Sequence, residues 1–139
     1  MRPTGPAARG LREPRATHVR TWLLDPGVEI PAEATGIHGI TTAQAAAHGS
    51  VPAVALDEIA TLVVDAQRDG VPLVAYNAAF DLAILDTELV RHGRPTLSAR
   101  LGRPVRPVLD PLVLDRAWYP AREGKRRLVD LCARYEVLD

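Results

Sequence analysis

The chain has one cysteine, Cys132, and a single lysine, Lys125, among 17 basic residues in a length of 139, and its formal net charge is zero. A lone cysteine excludes an intramolecular disulfide and leaves no partner for a Cys-x-x-Cys metal site, which fits a reducing, cytoplasmic setting. No apolar run reaches the roughly 18 residues of a membrane-spanning helix, and the first residues lack the apolar stretch of a secretion signal. Neither membrane insertion nor export is therefore expected. Neutrality excludes a global electrostatic footprint for nucleic acid, so any such contact must come from local patches. Arginine in place of lysine, with abundant alanine, is the composition of high-GC bacterial proteins, an association rather than a physical argument.

Two basic patches stand out. Residues 91–106 carry Arg91, Arg94, Arg100, Arg103 and Arg106 without an acid, and Lys125, Arg126 and Arg127 are consecutive. Each reads either as solvated loop charge or as a phosphate contact. Cys132 follows Leu128 and Leu131 on a helical pattern, where a free cysteine serves as a small core residue. With 47% apolar content over this length, the chain is at most one domain and could bury a core if all its elements were present.

Residues 1–16 hold three prolines, two glycines and four arginines with almost no bulky apolar side chain, which reads as a disordered basic tail ahead of a domain over 17–139. Residues 18–24 alternate as a strand does, with Val19, Thr21 and Leu23 on one face, and Asp25-Pro26-Gly27 turns the chain. Thr41-Thr42-Ala43-Gln44 has the form of a capping box and opens a short helix. Pro52 begins a longer helix through Arg68, with Leu56, Ile59, Leu62, Val63 and Ala66 as its packing stripe. Pro72-Leu73-Val74-Ala75-Tyr76 reads as a buried strand, and Phe80 to Arg91 as a helix closed by Gly93. From Arg94 to Pro107, three prolines and Gly102 point to a connecting loop.

Between that strand and helix lies Tyr76-Asn77-Ala78-Ala79-Phe80-Asp81. The spacing places the Asp81 carboxylate one turn into a helix at the carboxyl end of a strand, the edge of an open α/β sheet where ligands gather. Two readings stand for Asp81: a metal-binding carboxylate, or an ordinary helix-start acid favoured by the helix dipole.

Residues 18–41 contain Asp25-Pro26-Gly27 and Ile37-His38-Gly39-Ile40-Thr41, and the Asn77-Ala78-Ala79-Phe80-Asp81 segment follows one helix later. Downstream stand Val108-Leu109-Asp110-Pro111-Leu112 and Lys125-Arg126-Arg127-Leu128-Val129-Asp130-Leu131-Cys132-Ala133-Arg134-Tyr135. This order resembles the DEDDh 3′-to-5′ exonucleases, the family that includes the proofreading subunit of bacterial DNA polymerase III, over roughly residues 18–139. Several ordered segments are more specific than any one of them. The resemblance implies an α/β, RNase H-like fold, a mixed sheet flanked by helices with strand order 3-2-1-4-5. It implies metal-dependent phosphodiester hydrolysis at the 3′ end of a single-stranded nucleic acid, DNA in preference to RNA, with a two-ion Mg²⁺ or Mn²⁺ site. It also implies a polymerase or another replication protein as partner.

Carried over residue by residue, the resemblance makes Asp81 the catalytic metal ligand, and makes Ile37, His38, Gly39, Ile40, Asn77 and Phe80 substrate-binding positions. Bland readings stand beside these: Asn77 as a turn former, Phe80 as core, His38 as a structural histidine and Asp110 as a turn or capping acid. The family's first motif, an Asp-x-Glu on the first strand, and its late His-x4-Asp have no counterpart. The one Asp-x-Glu is Asp86-Thr87-Glu88, inside the helix of Asp81. At 100° per residue Asp86 lies about 140° around that helix from Asp81, and Glu88 about 10 Å along it. Five residues after His18, His38, His48 and His92 stand Leu23, Ala43, Ala53 and Leu97, so none opens the third motif. The first two strands of the fold are expected to be missing and the chain to be a truncated, inactive copy. A non-catalytic nucleic-acid or protein-binding remnant is the alternative.

Overall fold

Helix α3 (Pro52–Arg68) organises the interior, and its inward face is set by residues spaced three and four apart. Leu56, Ala60, Val64 and Gln67 are buried along one stripe. Against it pack α4 (Ala78–Arg91) through Leu89 and α5 (Leu97–Leu101) through Leu97, both fully buried, with Leu24, Val63, Leu82, Leu85, Leu101 and Val105 around them. The expected stripe is thus rotated: Leu62 faces solvent and Val64 takes the central place. These coordinates are a computed structural model that describes residues 17–137. The tail expected at 1–16 lies outside the described residues.

Two short helices precede α3. Helix α1 (Ala32–His38) ends in Gly39, whose left-handed conformation lets its amide return to Thr35 O at 2.7 Å. Helix α2 (Thr42–His48) opens on the expected capping box: Gln44 N–H donates to Thr41 Oγ1 at 3.2 Å and Thr41 N–H to Gln44 Oε1 at 2.9 Å. After α3 come β1 (Leu73–Val74), α4, α5, β2 (Val108–Leu109), α6 (Pro111–Trp118) and α7 (Leu128–Arg134). Strands β1 and β2 pair in parallel, Leu73 opposite Val108 and Val74 opposite Leu109. This is the α/β plan of a partial RNase H-like fold, and the parallel pair is its only sheet among the described residues.

Several elements differ from expectation. Residues 18–24 form no strand; their one sheet-like contact is a parallel bridge from Leu24 to Ser50, with Ser50 N–H donating to Leu23 O at 2.8 Å. Val19 is 84% exposed while Leu23 is half-buried, so the alternating face is covered only toward its Leu23 end. The strand expected over 72–76 shortens to two residues, for it has a partner on one side only. The supposed loop 94–107 contains α5, capped by Thr96 Oγ1 accepting from Ala99 N–H at 3.2 Å and anchored by buried Leu97. Phe80 is 60% exposed rather than core, and Cys132 is half-buried.

A buried ionic knot ties the last third of the chain together. Asp115 on α6 is 1% exposed. Its Oδ2 accepts from Arg126 at 2.7 Å and lies 3.4 Å from Arg122 Nε, while its Oδ1 accepts from the Tyr135 hydroxyl at 2.8 Å. That hydrogen bond, followed by burial, raises the Tyr135 hydroxyl above the usual tyrosine range. Arg126 also donates to Tyr119 O at 2.7 Å, and its own carbonyl accepts from the Tyr76 hydroxyl at the end of β1.

Gly49 marks the closest backbone approach. A Cβ there would stand 2.3 Å from Ala45 O and 2.5 Å from Asp25 N. Gly49→Ala should therefore cost about 1–3 kcal/mol, the usual effect of overpacking between rigid backbone segments. Gly36→Ala, in α1 with open space around its Cβ position, should stabilise or be neutral. Urea unfolding followed by circular dichroism compares the two; equal midpoints would contradict the steric account.

Candidate active site at the carboxyl ends of the paired strands

Each strand leads into a helix cap, β2 directly and β1 three residues on. After β1 the chain passes Ala75 and Tyr76 to Asn77, which adopts the left-handed conformation (φ 59°, ψ 41°) that asparagine tolerates better than most residues. After β2 comes Asp110, the N-cap of α6, whose Oδ1 accepts from Leu112 N–H at 2.9 Å. The same carboxylate reaches across to the other turn. Asn77 N–H donates to its Oδ1 at 3.0 Å and Ala78 N–H to its Oδ2 at 2.9 Å.

Asp81 projects from the first turn of α4 and is exposed. Asn77 plays the turn-forming part, and its side chain makes no capping hydrogen bond to α4. Phe80 stands in solvent on the same turn. Beside them an apolar cavity of about 350 Å³ is lined by Ala78, Ala79 and Leu82 of α4 and by Val108, Leu109 and Val113 across from them.

The segment Ile37, His38, Gly39 and Ile40 lies elsewhere, at the end of α1. Ile37 is 88% exposed, and His38 Nδ1 accepts from Ile40 N–H at 3.1 Å, a local structural contact. Gly39 and Ile40 line a different cavity of about 360 Å³, together with Trp22, Leu23, Gln44 and His48. Asn77, Phe80 and Asp81 thus share the start of α4, while Gly39 and Ile40 line a cavity to which none of these three contributes.

Among the described residues no group of three or more His, Cys, Asp or Glu side chains is arranged to hold a metal ion. Asp110 is near Asp81 in the fold, but both its oxygens already accept backbone amides. Asp86 Oδ1 accepts from Leu97 N–H at 2.8 Å, and Glu88 pairs with Arg91 at 3.2 Å. The described residues therefore do not fit a two-ion centre, which needs several carboxylates converging on one point.

The basic patches are largely occupied by the protein itself. Arg100 donates to Asp57 at 2.6 Å, a hydrogen bond that lowers the Asp57 carboxyl below its usual range. Arg103 donates to Gln67 O at 2.8 Å, and Arg126 belongs to the Asp115 knot. Arg127 grips Asp130 through Nε at 3.0 Å and a terminal nitrogen at 2.9 Å. Sequence reasoning found Asp110 as a capping acid but not its reach to a second helix, and it passed over Asp115 altogether. An acid on the inner face of an apolar turn, Leu112-Val113-Leu114-Asp115, is the signal that could have found it.

Comparison with known proteins gives two matches. The family described as exonuclease, RNase T type, matches residues 17–138. A DNA polymerase III subunit epsilon-like protein of Rhodobacter capsulatus is 35% identical over 109 residues, which is 78% of this chain and 14% of the relative. The chain thus spans about one seventh of that protein's length. No solved structure matches it significantly.

The Arg127 contact is open to direct measurement. Hydrogen bonds from the Arg127 side chain and backbone lower Asp130 from 3.8 to about 2. A depressed carboxyl stabilises the folded form above its unfolded value and loses that contribution as pH falls toward 2. In a ¹³C carboxyl titration Arg127→Ala should return Asp130 toward 3.8, and the α7 amides should then lose protection at higher pH than in the parent chain. An unmoved Asp130 titration would contradict the pairing.

Proposed function

The chain belongs to the exonuclease family, and on that premise we propose that it is a DEDDh-type 3′-to-5′ exonuclease domain in which Asp81 is a metal-binding carboxylate. The observation that carries this reading is the place of Asp81: first turn of a helix, carboxyl end of a parallel strand, solvent-facing, in a chain matched by the family over residues 17–138. The substrate class is the 3′ end of a single-stranded nucleic acid, DNA before RNA. A polymerase is the proposed partner, in keeping with the description of the Rhodobacter relative as polymerase epsilon-like.

Mg²⁺ or Mn²⁺ is the cofactor class of this reading, since paired ions stabilise the attacking and leaving oxygens of phosphodiester hydrolysis. Asp81 offers one carboxylate, and the described residues do not supply the others. The chain's own residues do the positioning: Asp110 and Asn77 build the turn, and exposed Phe80 offers an apolar ring beside Asp81. Asn77 and Phe80 are the substrate contacts we propose with most geometric support. Ile37 to Ile40 serve as a second contact only where a bound strand extends to the end of α1. Cytoplasmic location fits the single cysteine, and no helix among the described residues is long and apolar enough to cross a membrane.

We propose further that the chain by itself is inactive in hydrolysis, a reading supported by the absence, among the described residues, of three or more metal-ligating side chains grouped together. Residues 1–139 should not shorten a 3′-labelled single strand in Mg²⁺ or Mn²⁺; a product ladder that vanishes in Asp81→Ala would show a working centre and overturn this. A non-catalytic binding role is the second reading, favoured by the lone carboxylate but opposed by the arginines already engaged within the fold.

In a polypeptide that also carries the Asp-x-Glu and His-x4-Asp segments, Asp81→Asn should reduce cleavage by more than the roughly 100-fold that loss of an outer-shell metal partner costs. Asp86→Asn should stay close to the parent, because its remaining oxygen can still accept from Leu97 N–H. Equal losses in a gel-based cleavage assay would place the site wrongly.

A further inference from the structure

We propose that Asp110 is a positioning residue for Asp81: its carboxylate closes the first turn of α4 from outside that helix and so sets where the Asp81 carboxylate stands. Helix α4 lacks a cap of its own. Asn77 holds the N-cap position in a left-handed conformation, and its side chain makes no hydrogen bond to the helix. The first amides of any helix have no partner within it. Here the donors at Asn77 and Ala78 are taken by Asp110 Oδ1 and Oδ2, at 3.0 and 2.9 Å. Ala78 is 2% exposed, so its amide has little access to water if the carboxylate is removed.

The effect passes directly to Asp81. The Asn77 carbonyl, which shares one planar peptide group with the Ala78 N–H held by Asp110, accepts from Phe80 N–H at 2.9 Å, and Asp81 is the next residue. Because Asp110 also accepts from Leu112 N–H, one negative charge sits at the positive ends of two helices that leave adjacent parallel strands. A change at Asp110 therefore moves the first turn of α4 relative to α6, while the far end of α4 stays held by Leu89 in the core. The catalytic consequence rests on the reading of Asp81 given above; the positioning contact does not.

Residue-resolved amide exchange on the full chain tests this. Asp110→Ser keeps a good local cap for α6 but is too short to span to α4. Exchange at Asn77 and Ala78 should speed up about tenfold, the effect of losing a cap of ordinary strength. The ¹³Cα shift of Asp81 should move toward its random-coil value, while Leu112 to Leu114 and the α3 amides keep their parent rates. Asp110→Asn keeps one oxygen and turns an amide group toward α4, so one of the two amides should speed up and the other hold. Uniform acceleration across α3, α4 and α6 would show a general stability role. Unchanged exchange at Ala78 with an unmoved Asp81 shift would show that the contact does not hold the turn. Either result overturns the proposal. No cleavage is measured, so a cleaving Asp81→Asn variant of the completed polypeptide would remove the metal-ligand reading of Asp81 and leave the exchange result intact.

Discussion

The Asp110 carboxylate accepts three backbone amides, from Asn77, Ala78 and Leu112, and the geometry of the strand ends depends on it. Two strands of two residues each supply few ladder bonds, so pairing alone holds the ends of β1 and β2 weakly. Hydrogen bonds to a charged acceptor are worth more than neutral ones, about 1.5–3 kcal/mol each against roughly 1. They also fix direction. A carboxylate placed between two helix starts orients both, and the first turn of α4 carries the one solvent-facing acid of the candidate site.

A second charge, Asp115, does for the C-terminal third what Asp110 does for the strand ends. Its two arginines and Tyr135 draw α6, the segment 119–127 and α7 to one point, and the Tyr76 hydroxyl links that point to the end of β1. A buried ion pair adds little net stability, since desolvation offsets the attraction. Removing one partner is another matter, because it leaves an uncompensated charge inside the protein. The knot therefore specifies an arrangement more than it stabilises one, and it engages Arg126 within the fold.

The apolar core is small beside these polar ties. It gathers on one stripe of α3, while Val74, Phe80, Leu109, Val113 and Trp118 remain exposed around the strand pair. Apolar side chains left on a sheet face and its flanking helices belong to a layer that is only partly covered. This agrees with a partial RNase H-like α/β plan. Residues 18–24, alternating as a strand should, make a single bridge, to Ser50, among the described residues.

Local chemistry was legible in the sequence. The Thr41–Gln44 capping box, Pro52 at the start of α3, the left-handed Gly93 after α4 and the turn before Asp81 all appear where residue type and spacing placed them. Each depends on atoms within a few residues, so the sequence alone determined it. Tertiary packing decided the rest. Which face of α3 turned inward depended on where Leu89 and Leu97 came to lie, and α5 formed within a proline-rich stretch because Leu97 found the core. The Asp110 bridge joins residues more than thirty positions apart, and Arg100 and Arg126 were engaged by Asp57 and Asp115. Such pairings require the folded chain to bring distant groups within 3 Å, and no local pattern records that distance.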